Sequence, residues 1–296
     1  MEISSLNKLA YAIKLPRGYL ENLIVRKSAC YRPFLKYKPR RNGTVKKRRI
    51  DNPNEEIRTV QRKINQIILS PLVAKLPEYM HGSIKGHSIA TNARGHVAKP
   101  AVLSLDLQGC FPSITPDMVY AVYRNRAGCI PEVARLLTKL STFGNKLPQG
   151  APTSSSLCNL VLAPLCKNLY DIARENNVEF SQYVDDLFFS GNYDDVIAIY
   201  HMVISKINSA GFVINSKKVK LTKNNRLVSI TGVVANQKIS AGRKRIRRIE
   251  RKIMKLENTN DMQVSKIMGE ISFIKTLDVT QHKHLSKKLK NRLEVL

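Results

Sequence analysis

The feature that most constrains this chain is the stretch Gln182-Tyr183-Val184-Asp185-Asp186-Leu187-Phe188-Phe189-Ser190. Two adjacent carboxylates stand between aromatic and β-branched residues, a composition typical of two strands joined by a tight turn. Two neighbouring like charges are costly, and a divalent cation with oxygen ligands neutralises them most directly. An ordinary hairpin with Asp-Asp at its turn remains the alternative for this stretch taken alone.

The balance of charge indicates a polyanionic partner. The 296 residues include 50 Lys and Arg against 22 Asp and Glu, a formal net charge of +28, and 43% are hydrophobic, enough for a sizeable core. Nucleic acid is the leading partner, and an anionic membrane surface is the competing one. No apolar run approaches the roughly 20 residues of a spanning helix. Because the first residues also lack a basic region followed by an apolar core, we expect a cytoplasmic protein without membrane attachment.

Two basic segments are expected to contact phosphate. Residues 36–49 contain eight basic residues and no acid, and Asn42-Gly43 signals a hairpin turn among them. Residues 238–255 contain nine basic residues and the single acid Glu250, spaced as an amphipathic helix. A solvated basic face is the alternative for each segment.

Apolar periodicity predicts the remaining elements. Helices are expected within 1–35, from Pro53 to Pro71, from Met118 to Arg126, after Pro131, through Leu157 and Leu169, from Asp195 to Ala210 and from Val264 to Leu277, before a basic tail from His282 to Arg292. Strands are expected over 101–107, 211–218 and 227–235, the last with Gly232 as a bulge or close backbone contact.

The cysteines are assigned no chemistry. Cys30, Cys110, Cys129, Cys158 and Cys166 are widely spaced and contain no CxxC pair. This pattern favours free, mostly buried thiols over a zinc site or a disulfide framework.

Asp106 adds a third acid to the Asp-Asp pair. It ends a predicted strand, and a bend places Phe111 five residues beyond it. A turn rich in Gly, Pro and hydroxyl residues follows at 147–156, where backbone can approach a ligand closely. Three carboxylates from two strand systems are expected to converge on one face of an antiparallel sheet. There they would hold two Mg²⁺ ions for a displacement at phosphorus.

These pieces together resemble the palm of a reverse transcriptase. The matching segments are Asp106-Leu107-Gln108-Gly109-Cys110-Phe111-Pro112-Ser113-Ile114, Leu147-Pro148-Gln149-Gly150-Ala151-Pro152-Thr153-Ser154, Tyr183-Val184-Asp185-Asp186, Gly211 to Lys218 with Val219 where a Thr often stands, and the fingers segment Arg48-Arg49-Ile50-Asp51-Asn52-Pro53. The resemblance implies an α+β fold with right-hand polymerase architecture. Fingers, a palm with an antiparallel sheet packed on helices, and a helical thumb are its expected parts.

Two further elements resemble the retron type of bacterial reverse transcriptase. Asn92-Ala93-Arg94-Gly95-His96 fits its Asn-Ala-x-x-His element, and Ile230-Thr231-Gly232 stands where Val-Thr-Gly is usual, with Ile keeping the β-branched shape. The domains are then expected to be an N-terminal helical cap (1–35), fingers (36–100), a palm with some fingers helices (101–235) and a basic helical thumb (236–296).

The resemblance also implies roles for individual residues. Asp106, Asp185 and Asp186 would be catalytic and would ligate the metals, with the Leu107 carbonyl assisting. Phe111 would close the sugar pocket against a 2′-hydroxyl. The other nucleotide-binding residues would be Gln149, Gly150, Lys46, Arg48 and Lys218. The RNA-binding residues would be Asn92, His96, Thr231, Gly232, Arg243, Arg247, Arg248 and Arg251.

The implied activity is RNA-directed DNA polymerisation from deoxynucleoside triphosphates. In retrons, part of a cognate structured noncoding RNA is copied into single-stranded DNA, primed from a 2′-hydroxyl of an internal guanosine. Two Mg²⁺ ions, with Mn²⁺ as a substitute, are the implied cofactors, and a separate effector protein in antiphage defence is an implied partner. Two alternatives stay open: another bacterial reverse transcriptase, of the intron-derived, diversity-generating or abortive-infection type, and a non-catalytic RNA-binding scaffold.

Overall fold

The computed structural model describes residues 3–39, 43–257 and 261–296, and it combines many helices with antiparallel strands. The helices are α1 (Leu6–Ile13), α2 (Arg17–Val25), α3 (Glu55–Ile64), α4 (Ser70–Val73), α5 (Ile89–Arg94), α6 (Cys110–Ser113), α7 (Pro116–Ala121), α8 (Pro131–Ser141), α9 (Ser154–Glu175), α10 (Tyr193–Ala198), α11 (Tyr200–Ser209), α12 (Arg243–Met254), α13 (Asp261–Lys275) and α14 (Val279–Glu294). The strands are β1 (Tyr31–Pro39), β2 (Val45–Pro53), β3 (Ala101–Asp106), β4 (Glu179–Tyr183), β5 (Asp186–Gly191), β6 (Lys220–Lys223), β7 (Ser229–Ile230) and β8 (Val233–Val234). The α+β class expected from the sequence is confirmed.

A four-stranded antiparallel sheet in the order β4-β5-β3-β6 lies at the centre of the chain. Successive side chains of a strand point to opposite faces. Leu105 and Leu187 therefore enter one buried cluster, whereas Val102 and Phe188 enter another. Side chains from both faces of β3 are buried, which explains why its sequence is almost continuously apolar. The strand predicted at this place is confirmed.

The first cluster contains the long helix α9, which packs against β4, and the amino-terminal helices, which pack against α8. Helix α9 is buried along much of its length, including Leu157 and Leu169. All five cysteines are buried free thiols, as expected. This cluster gives the sheet a rigid backing on the face away from the basic carboxy-terminal helices.

The second cluster contains Val102 and Phe188 of the other face, with residues of α5, the β7–β8 hairpin and helices α12 to α14, and α5 packs against β4. On α12, Ile249 and Ile253 are buried one turn apart while most of the basic residues are exposed, because apolar residues at helical spacing form one stripe. The amphipathic helix predicted within 238–255 is thus confirmed, beginning at Arg243.

The helix predicted to stop at Pro71 continues beyond it. The chain passes from α3 through a π-helical segment, Asn65–Leu69, into α4, where Pro71 lies in the first turn. The π-helical turn directly before Pro71 interrupts the usual i→i−4 bonding pattern, at the place where proline supplies no N–H.

Two strand predictions were wrong in extent. Of residues 211–218, Ile214 forms one bridge to Leu107, Ser216–Lys218 form a 3-10 turn, and the regular strand β6 comes later. Residues 227–235 form two short strands that reverse at Thr231 and Gly232, both with positive φ, rather than one strand with a bulge. Turn-forming backbone at Gly232 explains the difference.

The amino-terminal basic segment forms the predicted hairpin, with β1 and β2 antiparallel from Tyr31↔Pro53 to Pro39↔Val45. Strand β1 begins inside the range expected for the helical cap. Asn42, on which the turn prediction rested, lies outside the described residues. Within the part of the chain that the structure describes, no helix combines the length and apolarity needed to cross a membrane.

Candidate active site

The three acids meet at one end of the central sheet. Asp106 is the last residue of β3 and pairs in register with Asp186, the first residue of β5. Asp185 lies in the preceding turn, and its carbonyl oxygen accepts a 2.9 Å hydrogen bond from the Leu107 backbone N–H. By the alternation of the strands, Asp106 and Asp186 lie on the same face of the sheet as Val102 and Phe188.

Burial and mutual repulsion disfavour the charged forms of two of these acids. Burial, reinforced by the neighbouring Asp106, raises the pKa of Asp185 above its ordinary value. Burial together with Asp185 and Asp106 raises the pKa of Asp186 to about 6. A cation placed among them would relieve both effects.

Asp106 differs from the other two acids because it has a counter-charge. Its side chain is nearly buried, and Lys218 forms an ion pair with Oδ2. Asn215 donates a 3.1 Å hydrogen bond from Nδ2 to Oδ1, and its backbone N–H donates to the Asp106 carbonyl oxygen at 2.8 Å. The segment after α11 therefore fixes the Asp106 carboxylate from two sides.

The donor chemistry of this end of the sheet suits a hard divalent cation. Asp106, Asp185 and Asp186 offer oxygen ligands, which Mg²⁺ prefers. Within residues 3–39, 43–257 and 261–296, no three His, Cys, Asp or Glu side chains are already arranged around a common point. The Lys218 ammonium supplies positive charge at Asp106 in this arrangement.

A cleft of about 310 Å³ opens beside the carboxylates. Of the residues predicted to bind nucleotide, it is lined by Lys46, Arg48, Phe111, Gln149 and Lys218, together with Asp106, Leu107 and Asp185. Asp186 and Gly150 lie outside the lining. The cleft thus combines the acids Asp106 and Asp185 with a basic wall, formed by Lys46 and Arg48 of β2. This combination is the complement expected for a metal-bound triphosphate.

The basic wall is held in place by a contact between β2 and the turn before α9. The Asp51 N–H donates to the Gln149 carbonyl oxygen at 2.9 Å. Gly150 has φ +123, and a Cβ there would stand 3.2 Å from Ile50 Cγ2. Glycine is therefore required at 150 both by its backbone conformation and by the close approach of β2.

Several lining residues were missed by the sequence analysis. Lys47, Arg49 and Lys146 add positive charge to the cleft, and Asn215 adds its contact to Asp106. Asp51 is buried and forms a 2.8 Å ion pair with Arg49. Lys47, Arg49 and Asp51 stood inside segments already singled out, whereas nothing local marked Lys146.

The two residues of the Asn-Ala-x-x-His element lie inside the protein. His96 is fully buried, and its two ring nitrogens hydrogen-bond Ser190 Oγ and Ser181 Oγ, each at 2.7 Å. Burial lowers the pKa of His96 to about 3, so the ring is neutral. Asn92 is 1% exposed and lines a separate cavity of about 440 Å³. Neither residue lies at the cleft.

The remaining predicted RNA-binding residues lie together on the carboxy-terminal part. Thr231 and Gly232 form the β7–β8 turn, and Gly232 lines a groove of about 810 Å³ with Arg243 and Arg247 from α12. Arg247, Arg248 and Arg251 are exposed, and Arg248 approaches Glu270 at 3.7 Å. The structure therefore joins this turn and α12 into one basic surface.

Comparison with known proteins gives consistent matches. A family model described as Reverse transcriptase (RNA-dependent DNA polymerase) matches residues 37–235. The retron Ec86 reverse transcriptase of Escherichia coli is 31% identical over 252 residues, which cover 84% of this chain and 78% of that protein. The retron Mx65 reverse transcriptase of Myxococcus xanthus is 30% identical over 278 residues, which cover 86% of this chain and 63% of that protein.

A solved structure is similar in fold at low sequence identity. Telomerase from Candida albicans, solved in complex with a TWJ fragment of telomeric RNA, aligns with a TM-score of 0.50 and 10% identity, covering 90% of this chain and 60% of that one. With the family match, this likeness confirms the right-hand polymerase fold.

Proposed function

The chain belongs to the reverse transcriptase family and to its retron members, so it is an RNA-directed DNA polymerase, and from this premise we propose its reaction. It copies part of a cognate structured noncoding RNA into single-stranded DNA, primed from a 2′-hydroxyl of that RNA, so that the product is a branched RNA–DNA. The observation that carries the catalytic part is the pairing of Asp106 with Asp186 beside a cleft walled by basic residues.

Reverse transcriptases use divalent metal ions. Asp106, Asp185 and Asp186, with the Leu107 carbonyl, would hold two such ions, Mg²⁺ or Mn²⁺. When bound, these ions stabilise the attacking and leaving oxygens of the displacement at phosphorus. The pKa of Asp186, raised to about 6 by burial and its acidic neighbours, supports this assignment, because a nearby cation would relieve that repulsion.

The residues that line the cleft would orient the incoming deoxynucleotide. Lys46 and Arg48 on β2 bind its phosphates, and Gln149 contacts it from the turn before α9. Phe111 lines the same cleft as Asp106, Asp185 and Gln149, and its ring would exclude a 2′-hydroxyl by volume. Lys218, which forms an ion pair with Asp106, would bind the nucleotide phosphates instead, because their negative charge competes with the carboxylate for its ammonium group.

Recognition of the RNA is assigned to the basic surface of the carboxy-terminal part. Arg243, Arg247, Arg248 and Arg251 contact the phosphate backbone, and the Thr231-Gly232 turn approaches it closely. Asn92 and His96 act from the interior: His96 links β4 to β5 through its two serine partners and so shapes the surface rather than touching the RNA.

The domain division also belongs to this proposal. Residues 1–35 form a cap, 36–100 the fingers, 101–235 the palm with some fingers helices, and 236–296 the thumb. The biological role would be antiphage defence with a separate effector protein, by analogy with retrons. The family membership supports that role, and the basic carboxy-terminal surface supports the RNA partner.

The branched product provides the test. The chain is expressed with the RNA gene that flanks its coding region, and the nucleic acid that purifies with it is treated with a debranching enzyme that cleaves 2′–5′ linkages. We expect a DNA whose mobility changes on debranching and which is missing when Asp185→Asn is expressed instead. Unbranched DNA extended only from free 3′ ends would contradict the proposed priming.

A further inference from the structure

We propose that Gly82, Asn159 and Gln182 form a positioning network that fixes the backbone of Val184 and thereby aims the Asp185 carboxylate. The inference rests on the proposed function, because it takes Asp185 to be a metal ligand. It concerns three buried residues from three separate parts of the chain, none of which contacts the cleft.

The turn that carries Asp185 has an unfavourable backbone. Val184 has φ +58, in the left-handed region that β-branched residues rarely adopt. Such a conformation persists only where the surroundings determine it. Asp185 follows directly, so the direction of its side chain depends on this one backbone conformation.

Gln182 supplies the first restraint. It is fully buried at the end of β4, and its Nε2 donates a 2.6 Å hydrogen bond to the Val184 carbonyl oxygen. The same Nε2 lies 3.3 Å from Asn159 Oδ1 on α9, so the amide is oriented by the long helix. The hydrogen bond to the carbonyl closes the turn around the strained residue.

Gly82 supplies the second restraint by being small. A Cβ at this position would stand 2.5 Å from Val184 Cγ2, 3.0 Å from the Tyr183 carbonyl carbon, and closer still to the Val184 backbone nitrogen. The backbone of the 79–82 segment is therefore packed directly against the turn. No larger residue fits unless the turn moves.

Hydrogen bonds hold the 79–82 segment in place against the turn. Asn159 Nδ2 donates a 2.5 Å hydrogen bond to the Gly82 carbonyl oxygen. The Gln182 N–H donates to the Tyr79 carbonyl oxygen, and the His81 N–H donates to the Gln182 carbonyl oxygen, each at 2.8 Å. Asn159 thus links the 79–82 segment, which packs against the turn, to the Gln182 side-chain amide, which hydrogen-bonds the turn.

The test uses Gln182→Met, which keeps volume but removes both hydrogen bonds, and Gly82→Ala, which pushes on Val184. Gly18→Ala is the matched control, because a Cβ there meets open space at an exposed position of α2. Single-nucleotide extension gives kcat and KM for the deoxynucleotide. Calorimetric titration measures the affinity of the carboxylates for Mn²⁺ in the absence of turnover, and thermal unfolding measures the stability of each variant.

We expect both test variants to lower kcat about 10- to 100-fold, as a misplacement of about 1 Å does. KM should stay within about twofold, because the basic wall comes from β2, and Mn²⁺ binding should weaken with little change in the unfolding midpoint. If Gly82→Ala does not fold, Gln182→Met decides. An unchanged kcat and unchanged Mn²⁺ binding in folded Gln182→Met would overturn the network. Asp185→Asn, assayed in parallel, separates the two claims, since its full activity would instead contradict the proposed function.

Discussion

Asp106 and Asp186 lie opposite each other in the β3–β5 pair, at the one end of the sheet where both strands meet the Asp185 turn. Like charges directly opposite each other destabilise a strand pair. Burial, then repulsion from Asp185 and from Asp106, raises the pKa of Asp186 to about 6. A sheet that keeps this pair in its central strands is suited to hold a cation there.

Phe111 is predicted to discriminate against ribonucleotides. Its ring lines the cleft next to the acids, so Phe111→Ala should create room for a 2′-hydroxyl. The preference for deoxynucleotides should fall on the order of tenfold or more, measured as the ratio of kcat/KM for dNTP and rNTP. Phe34→Ala, on the exposed face of β1, serves as the control and should leave the ratio unchanged. An unaltered ratio in Phe111→Ala would reject the role.

Gly150 is predicted to hold the basic wall at its correct distance from the acids. Gly150→Ala forces a strained φ and presses a methyl group against Ile50, so β2 should shift outward. We expect KM for deoxynucleotide to rise about tenfold, equivalent to about 1.4 kcal/mol. Gly128→Ala carries a similar strain, φ +66, in open space, and should leave KM unchanged. Equal KM values for the two variants would contradict the prediction.

The exposed arginines of α12 are predicted to bind RNA phosphates. Replacing Arg247, Arg248 and Arg251 by Gln should weaken RNA binding and reduce the salt slope of log K by up to about 0.9 for each duplex phosphate that the variant no longer neutralises. A filter-binding titration at several salt concentrations measures both quantities.

The matched control for that triple variant removes the same charge elsewhere. Arg17, Arg26 and Arg62 lie on or just after the amino-terminal helices, each paired with a glutamate. Their replacement by Gln should leave the slope nearly intact. Similar slopes for the two triple variants would mean that net charge, and not this surface, binds the RNA.

His96 is predicted to destabilise the fold in acid. Burial lowers its pKa from 6.5 to about 3, so between these values the unfolded state binds more protons and stability is lost as pH falls. From pH 7.5 to pH 5 this group alone should cost about 2 kcal/mol. Urea unfolding of wild type and His96→Gln at both pH values measures it.

The comparison between wild type and variant isolates His96 from other acid-sensitive groups. His81, whose pKa burial lowers to about 4, contributes equally to both proteins. His201→Gln, at an exposed position, is the control and should follow the wild-type profile. If His96→Gln loses as much stability in acid as wild type does, the histidine is not held neutral by its burial.

Local sequence was enough to predict the Asp185-Asp186 turn, because β-branched and aromatic residues on both sides fix two strands by themselves. The α9 helix and the stripe on α12 were likewise predicted from periodicity. Residues 211–218 were misassigned, since an apolar run does not reveal whether a neighbouring strand is available to pair with it. Here only Ile214 bridges to Leu107.

The interactions that complete the site could not be predicted from local patterns. Asn215 meets Asp106 across 109 residues of chain, and Asn159 meets Gly82 across 77. Lys146 enters the cleft from a turn whose Gly144-Asn145 pair is typical of turns but does not indicate a contact with phosphate. His96 was recognised as part of a motif, but its burial depends on how α5 packs on the sheet.

The most direct test of the catalytic assignment is single-turnover incorporation of one deoxynucleotide on an RNA template by Asp106→Asn. This change keeps the size of the side chain and removes the negative charge of the Asp106 carboxylate. We predict a rate at least on the order of 10³-fold below wild type, with normal RNA binding, while Asp117→Asn, an exposed acid of α7, extends normally. A wild-type rate in Asp106→Asn would contradict the assignment of this carboxylate to catalysis.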